Sequence, residues 1–209
     1  GNPPPSTKLE FRKDSSFYRG DNYFAAGGYH GRDTVIEQLL TKARPEIDKT
    51  DPKGFTALML AAFHGRDKAI EQLLNAHPNV DKTDPKGYTA LMLAARNGHD
   101  KAVGQLLNAK PEIDKTNPKG FTALMLAAHQ GQDKAIDQLL TKAKPEIDKE
   151  NTKGHTALML AAASGAIHVV DRLLDNGAKV DKRDKNGVTA IQFAQRGGFS
   201  AVVDRLKSV

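Results

Sequence analysis

The sequence contains no cysteine. That removes disulfides, thiolate zinc sites, iron–sulfur clusters and a cysteine nucleophile, and it leaves the redox compartment unspecified. No apolar run approaches the roughly 18 residues that a membrane-spanning helix needs, so the reading is of a soluble chain. No signal peptide or lipidation motif is read in the sequence, and a start at Gly1 without Met makes that uninformative for compartment (bacterial cytoplasm, periplasm and secretion all stay open). Signatures of catalysis are equally scarce. Ser164, Ser200 and Ser208 fall at expected helix ends or at the terminus, without the strained Gly-x-Ser-x-Gly turn of a serine nucleophile. The glycines never take a phosphate-cradling spacing. None of the seven histidines has an i, i+4 partner on one helix, as a zinc pair would. Acidic pairs such as Glu46 and Asp48 read as solvated turn residues, because an acid–base pair needs a cleft and shifted pKa values. The reading is therefore non-enzymatic, with no metal and no cofactor.

What the chain has instead is repetition. Thr-Ala-Leu-Met-Leu-Ala-Ala occurs identically at Thr56–Ala62, Thr89–Ala95, Thr122–Ala128 and Thr156–Ala162, at offsets of 33, 33 and 34 residues. A fifth copy, Thr189-Ala190-Ile191-Gln192-Phe193-Ala194, follows 33 residues later, and a degraded one lies at Phe24–Gly28. All four methionines hold the same repeat position. A fixed period of this size marks stacked supersecondary units.

Each unit has a physical reading. Asp51-Pro52-Lys53-Gly54 puts Asp, Pro and Gly at the first, second and fourth positions of a type I turn, where each is favoured. The turn recurs at Asp84–Gly87 and Asn117–Gly120, and without proline at Asn151–Gly154 and Asp184–Gly187. Thr56 sits where an N-cap belongs, so a short helix is expected over Ala57–His64 with Gly65 at its end. A second helix is expected from about Asp67 to Asn75, with Ala69, Ile70, Leu73 and Leu74 on its buried face.

This pattern resembles the ankyrin-repeat family. The turn with its Gly, the Thr-initiated first helix, the second helix ending Leu-Leu and the closing Asn176-Gly177-Ala178-Lys179-Val180 carry the likeness through much of 50–209. Two departures stand out. The family's Pro-Leu-His is Ala-Leu-Met here, so stacked methionines are expected to replace part of a polar network with apolar contact. The closing-loop glycine is replaced by Arg44, His77, Lys110 or Lys144, each followed by Pro, with one extra residue in the first and fourth units. The resemblance implies an all-α solenoid of stacked helix-loop-helix units with extended hairpin fingers. Six units are expected at 21–49, 50–82, 83–115, 116–149, 150–182 and 183–209. Residues 1–20 stand apart as a tail, whose Leu9, Phe11, Phe17 and Tyr18 either cover the first unit or dock onto another protein. An array with both ends covered is most simply a monomer.

The resemblance also implies a protein partner bound on the concave face, between the fingers and the first helices. The residues that vary there, while the rest of each unit barely changes, are the candidate contacts. They are Tyr29 and His30 of the first unit, then Phe55, Phe63 and His64 of the second, and Tyr88, Arg96 and Asn97 of the third. Phe121, His129, Gln130 and His155 continue the row, with Lys53, Lys86 and Lys119 on the finger tips. The chain has eight Phe, four Tyr and no Trp. Tyr29, Phe55, Phe63, Tyr88 and Phe121 all fall on this row, which places the expected binding half in units one to four. Packing of each ring across its own finger is the competing account.

The net charge of +6 has two readings. Lys53, Lys86, Lys119 and Lys153 form one ladder, and Lys49, Lys82, Lys115, Lys149 and Lys182 a second. Asp48, Asp81, Asp114, Asp148 and Asp181 alternate with the second, while Asp51, Asp84 and Asp184 lie beside the first, so each finger is near neutral. Interspersed signs favour a solubilising surface over one for nucleic acid or an anionic membrane. The expected partner thus has an apolar centre with acidic groups facing the lysines. The alternatives are a bacterial effector, a toxin-inhibiting protein, a consensus-designed scaffold, and a binder of an anionic polymer.

Overall fold

A computed structural model of the chain describes residues 47–209. The tail at 1–20, almost all of the first unit, and with it Tyr29 and His30, lie outside the described residues. Ten helices, and no strand, occur among the residues described. They fall into five pairs: α1 Ala57–Phe63 with α2 Asp67–Leu74, α3 Ala90–Asn97 with α4 Asp100–Asn108, and α5 Ala123–His129 with α6 Asp133–Lys142. Then come α7 Ala157–Ser164 with α8 Ile167–Asp175, and α9 Ala190–Gly197 with α10 Ser200–Lys207. Odd-numbered helices pack on one another in one row and even-numbered helices in a second, so each pair is a layer between its neighbours.

Every inner (odd-numbered) helix starts at its threonine. Thr56, Thr89, Thr122, Thr156 and Thr189 have extended backbones, and each hydroxyl accepts from the N–H three residues on. The helix so started is short and almost wholly buried, from Ala57 to Ala62 and in the equivalent runs of the next three units. Met59, Met92, Met125 and Met159 are each 1% exposed and share one continuous core. A side chain of that size contributes about 2 kcal/mol when fully buried. The apolar replacement expected of the methionines holds, with one addition: the Thr56 N–H donates to Met59 Sδ at 3.4 Å. The sulfur there stands in for the acceptor of a capping box, a place that Gln192 Oε1 fills at 2.9 Å from Thr189 N.

The outer (even-numbered) helices are amphipathic and bury Ala69, Ile70 and Leu73, then Ala102, Val103 and Leu106, and so on along the row. Their closing loops explain the missing glycine. His77 and Lys110 take it over with φ of +53° and +55°, the left-handed geometry that Gly177 adopts at +87°. Lys144 does not, since the extra residue lets α6 run on to Lys142.

The fingers are tight turns rather than long hairpins. Gly54 N–H donates to Asp51 O at 2.9 Å, and Asp51 N–H to Phe55 O at 2.9 Å. Asp51 Oδ1 meanwhile accepts from Lys53 N and Phe55 N at 3.0 and 2.8 Å. Asp84, Asn117, Asn151 and Asp184 repeat this geometry, and all four are buried. The first-position residue is therefore an internal brace of its turn.

Candidate functional site

The fingers and the inner helices flank one face, which holds the expected contacts. On it Phe63 stands out, with 43% of its surface exposed at the end of α1 and its ring edge-on to His64 at 4.9 Å. Arg96 lies over the Tyr88 ring at 5.9 Å, a cation–π contact inside one unit. Phe55, Tyr88 and Phe121 are only partly exposed and pack against the core, the arrangement that the packing account expects of them. Asn97 turns inward to the array: its Nδ2 donates to Phe63 O at 3.0 Å, which ties α3 to the end of α1. Gln132 Nε2 does the same for Arg96 O at 3.3 Å. His129 and Gln130 close α5 on the surface, and Lys53, Lys86 and Lys119 are exposed at the finger tips.

This face also holds a cleft further along the chain than most of the aromatic row. A cleft of about 470 Å³ opens between the fingers at 117–120, 151–154 and the helices α5, α7 and α9. Its floor is apolar, made by Phe121, Leu160 and Phe193 above the buried Met159. Around it stand Lys119, Lys153, His129 and His155, and no carboxylate lines it. Phe193 was not among the expected contacts. Its signal is legible in the fifth repeat copy, where Phe193 replaces the Leu60, Leu93, Leu126 and Leu160 of the earlier ones.

His155 is held from two sides. Its ring meets Phe193 edge-on at 5.2 Å, and Nε2 lies 3.4 Å from Asp184 Oδ2. Burial alone would favour the neutral acid at Asp184, whose side chain is 2% exposed. The N–H groups of Val188 and Asn186, at 2.8 and 2.9 Å, together with His155, outweigh it and hold this carboxyl below its ordinary 3.8.

The structure corrects the reading of the finger acids as solvated. Asp84 and Asp184 are buried braces whose Oδ1 atoms are taken up by N–H groups of their own turns. The acids expected to be solvated are cross-unit staples: Asp48 accepts from Asn79 N, Asp81 from Glu112 N, Asp114 from Glu146 N and Asp148 from Lys179 N, at 2.9 to 3.1 Å. The second lysine ladder is also engaged. Lys82 Nζ donates to Asp48 O at 2.6 Å, while Lys115, Lys149 and Lys182 pair with Glu112, Glu146 and Glu150. Lys119 and Lys153 have no ion-pair partner among the described residues. Nor do three or more His, Asp or Glu side chains converge there as metal ligands.

Sequence comparison agrees with this architecture. The model of the family described as ankyrin repeats (3 copies) matches residues 23–117, 64–151, 101–184 and 124–208. The chain belongs to the ankyrin-repeat family. Among curated proteins none matches it. Ankyrin repeats generally mediate protein–protein interaction, and proteins built from them are typically non-catalytic binding scaffolds. No helix among the described residues of this ankyrin-repeat chain is long and apolar enough to cross a membrane.

Proposed function

We propose that this ankyrin-repeat chain is a non-catalytic scaffold that holds a partner protein on the concave face between its fingers and inner helices. The observation that carries this reading is a contrast within each unit. Thr-Ala-Leu-Met-Leu-Ala-Ala is buried and identical four times, while the exposed and half-buried residues beside it change from Phe63-His64 to Arg96-Asn97, His129-Gln130 and Ala163-Ser164. A surface needed only for solubility has no reason to carry Phe63 at 43% exposure beside Arg96 and His129. The same reading covers a toxin held inactive and a target bound by an effector, which differ in the partner and share the surface.

The test uses exposed positions, so that folding is preserved. A Phe63→Asp, Arg96→Glu, His129→Glu variant and a control with Glu71→Lys and Asn108→Lys on the outer helices are compared with the wild type. Proteins captured from the source organism are purified and titrated against all three. The expected outcome is a partner whose Kd weakens at least about tenfold on the concave variant and stays unchanged on the control. A partner lost on the control and kept on the concave variant would refute the reading.

A further inference from the structure

We infer that the cleft between the fourth, fifth and sixth units is a subsite for an acidic peptide segment of the partner, whose apolar side chain enters the cleft while carboxylates beside it meet Lys119 and Lys153. The inference rests on the concave-face reading above, and it moves the centre of binding to the C-terminal part of the array.

The charge argument begins in the turns. At Asp51, Asp84 and Asp184 the brace is a carboxylate, but Asn117 and Asn151 brace the two fingers beside the cleft. The amide oxygen accepts the same pair of N–H groups, at 3.0 Å from both Lys119 and Phe121, and at 2.9 and 3.0 Å from Lys153 and His155. The backbone is unchanged and one negative charge per finger is gone. Thr152 Oγ1 donates to Lys119 O at 3.1 Å and carries no charge that would neutralise either lysine. Lys119 and Lys153 are left on the rim without an ion-pair partner among the described residues, whereas the neighbouring Lys115, Lys149 and Lys182 are paired within the array. An unpaired cationic rim selects for negative charge and steers it inward.

The floor supplies the second half of the match. Phe121, Leu160 and Phe193 line a hollow of about 470 Å³ with little polar surface, in the size range of pockets that take a small organic group. A mobile polyanion gains nothing from such a floor, because its charges are widely hydrated. An acidic segment with one leucine- or phenylalanine-sized side chain uses both features together.

The test is a random peptide library displayed on phage, selected on the full chain. Enriched peptides are synthesised and titrated by fluorescence anisotropy against three proteins: wild type, Lys119→Glu/Lys153→Glu, and Phe63→Asp/Arg96→Glu. Both variants change exposed side chains, and circular dichroism checks their fold. The expected result is a set of peptides with an apolar residue flanked by Asp or Glu. Their affinity should drop about tenfold on the Lys119/Lys153 variant, and that difference should shrink as salt rises. Replacing the flanking acids by Lys should reverse the preference between wild type and that variant. Peptides that lose affinity only on the Phe63/Arg96 variant would overturn the subsite and leave the concave-face reading standing. Peptides insensitive to both variants would overturn both. The subsite also fails if no peptide is enriched, if the enriched ones lack acids, or if heparin displaces them at equal charge and binds without any apolar requirement.

Discussion

The fingers at the two ends of the described array are built alike and joined differently. In the second to fourth units the turn carries a proline, and Pro85 and Pro118 lie against Gly54 and Gly87 of the preceding fingers. Proline has no N–H to donate, so these fingers meet by van der Waals contact. In the fifth and sixth units the same place is held by Thr152 and Lys185. Their N–H groups donate to Lys119 O and Lys153 O, each at 3.1 Å, and stitch finger to finger along the backbone. The outer helices show a parallel change. Arg172 and Arg205 reach back to Asp137 and Asp171 of the preceding unit, while the equivalent positions nearer the N-terminus are Glu71 and Gln105, whose buried Oε1 has no hydrogen-bond partner among the described residues. Closely similar core residues thus support two kinds of joint, because the joints depend on a few surface positions. The charge of the turn is similarly free to change, since Asn and Asp present the same oxygen to the same N–H groups.

The largest test of that comparison is at the turn glycines. Gly154 and Gly187 have φ of +80° and +77°, so alanine is strained at both. A Cβ at Gly154 would lie 2.8 Å from Lys185 N and break the stitch, whereas nothing lies within 4 Å of one at Gly187. Gly187→Ala should cost about 1 kcal/mol and Gly154→Ala about 3 kcal/mol in urea denaturation. Equal losses would mean that the backbone joint adds nothing beyond turn strain.

A smaller effect is expected at the buried carboxylate. Asp184 has its folded pKa held below 3.8, the value it returns to on unfolding. Its stabilising share is therefore complete well above pH 3.8 and is lost as the pH falls below that value and through the folded one. Asp184→Asn keeps the turn oxygen, as Asn151 does in the preceding finger, and removes this dependence. Thermal melts from pH 6 down to pH 2 should show the variant slightly less stable at the upper end and less steeply destabilised by acid. A parallel fall in both proteins would show that Asp184 is not an acid-sensitive point of the array.

The smallest change converts one outer joint into the other. Gln105→Arg places a guanidinium opposite Glu71, as Arg172 lies opposite Asp137 and Arg205 opposite Asp171. A rise in Tm of about 1 °C at low salt is expected, fading in high salt, because exposed pairs contribute little. A fall in Tm would mean that the half-buried glutamine packs better than the ion pair compensates.

Much of this was legible from residues alone. The period, the threonine caps, the turn with its glycine, the buried methionine position and the limits of the helix pairs all follow from local rules that act within one unit. Helix α1 closes one residue before the expected end, and α2 likewise, which is the ordinary fraying of a last turn. Phe193 was also within reach, as the Phe that replaces a recurring Leu. The cleft was not, because it is formed by residues from three successive units and depends on how deeply each ring sinks between layers.

The sequence by itself determined the repeat and the inner core, because capping, turn chemistry and apolar periodicity involve neighbours a few residues apart. Only the tertiary structure decided which charges face solvent. Whether Asp48 acts only as surface charge or also as a hydrogen-bond acceptor depends on an N–H group 31 residues away, and Asp84 is buried once the units stack. A count of signs along the chain treats every carboxylate as equal, and stacking makes some of them internal. Lys119 and Lys153 consequently emerge as cations of the cleft without an ion-pair partner among the described residues, beside fingers whose asparagines brace the turn without supplying a counter-charge.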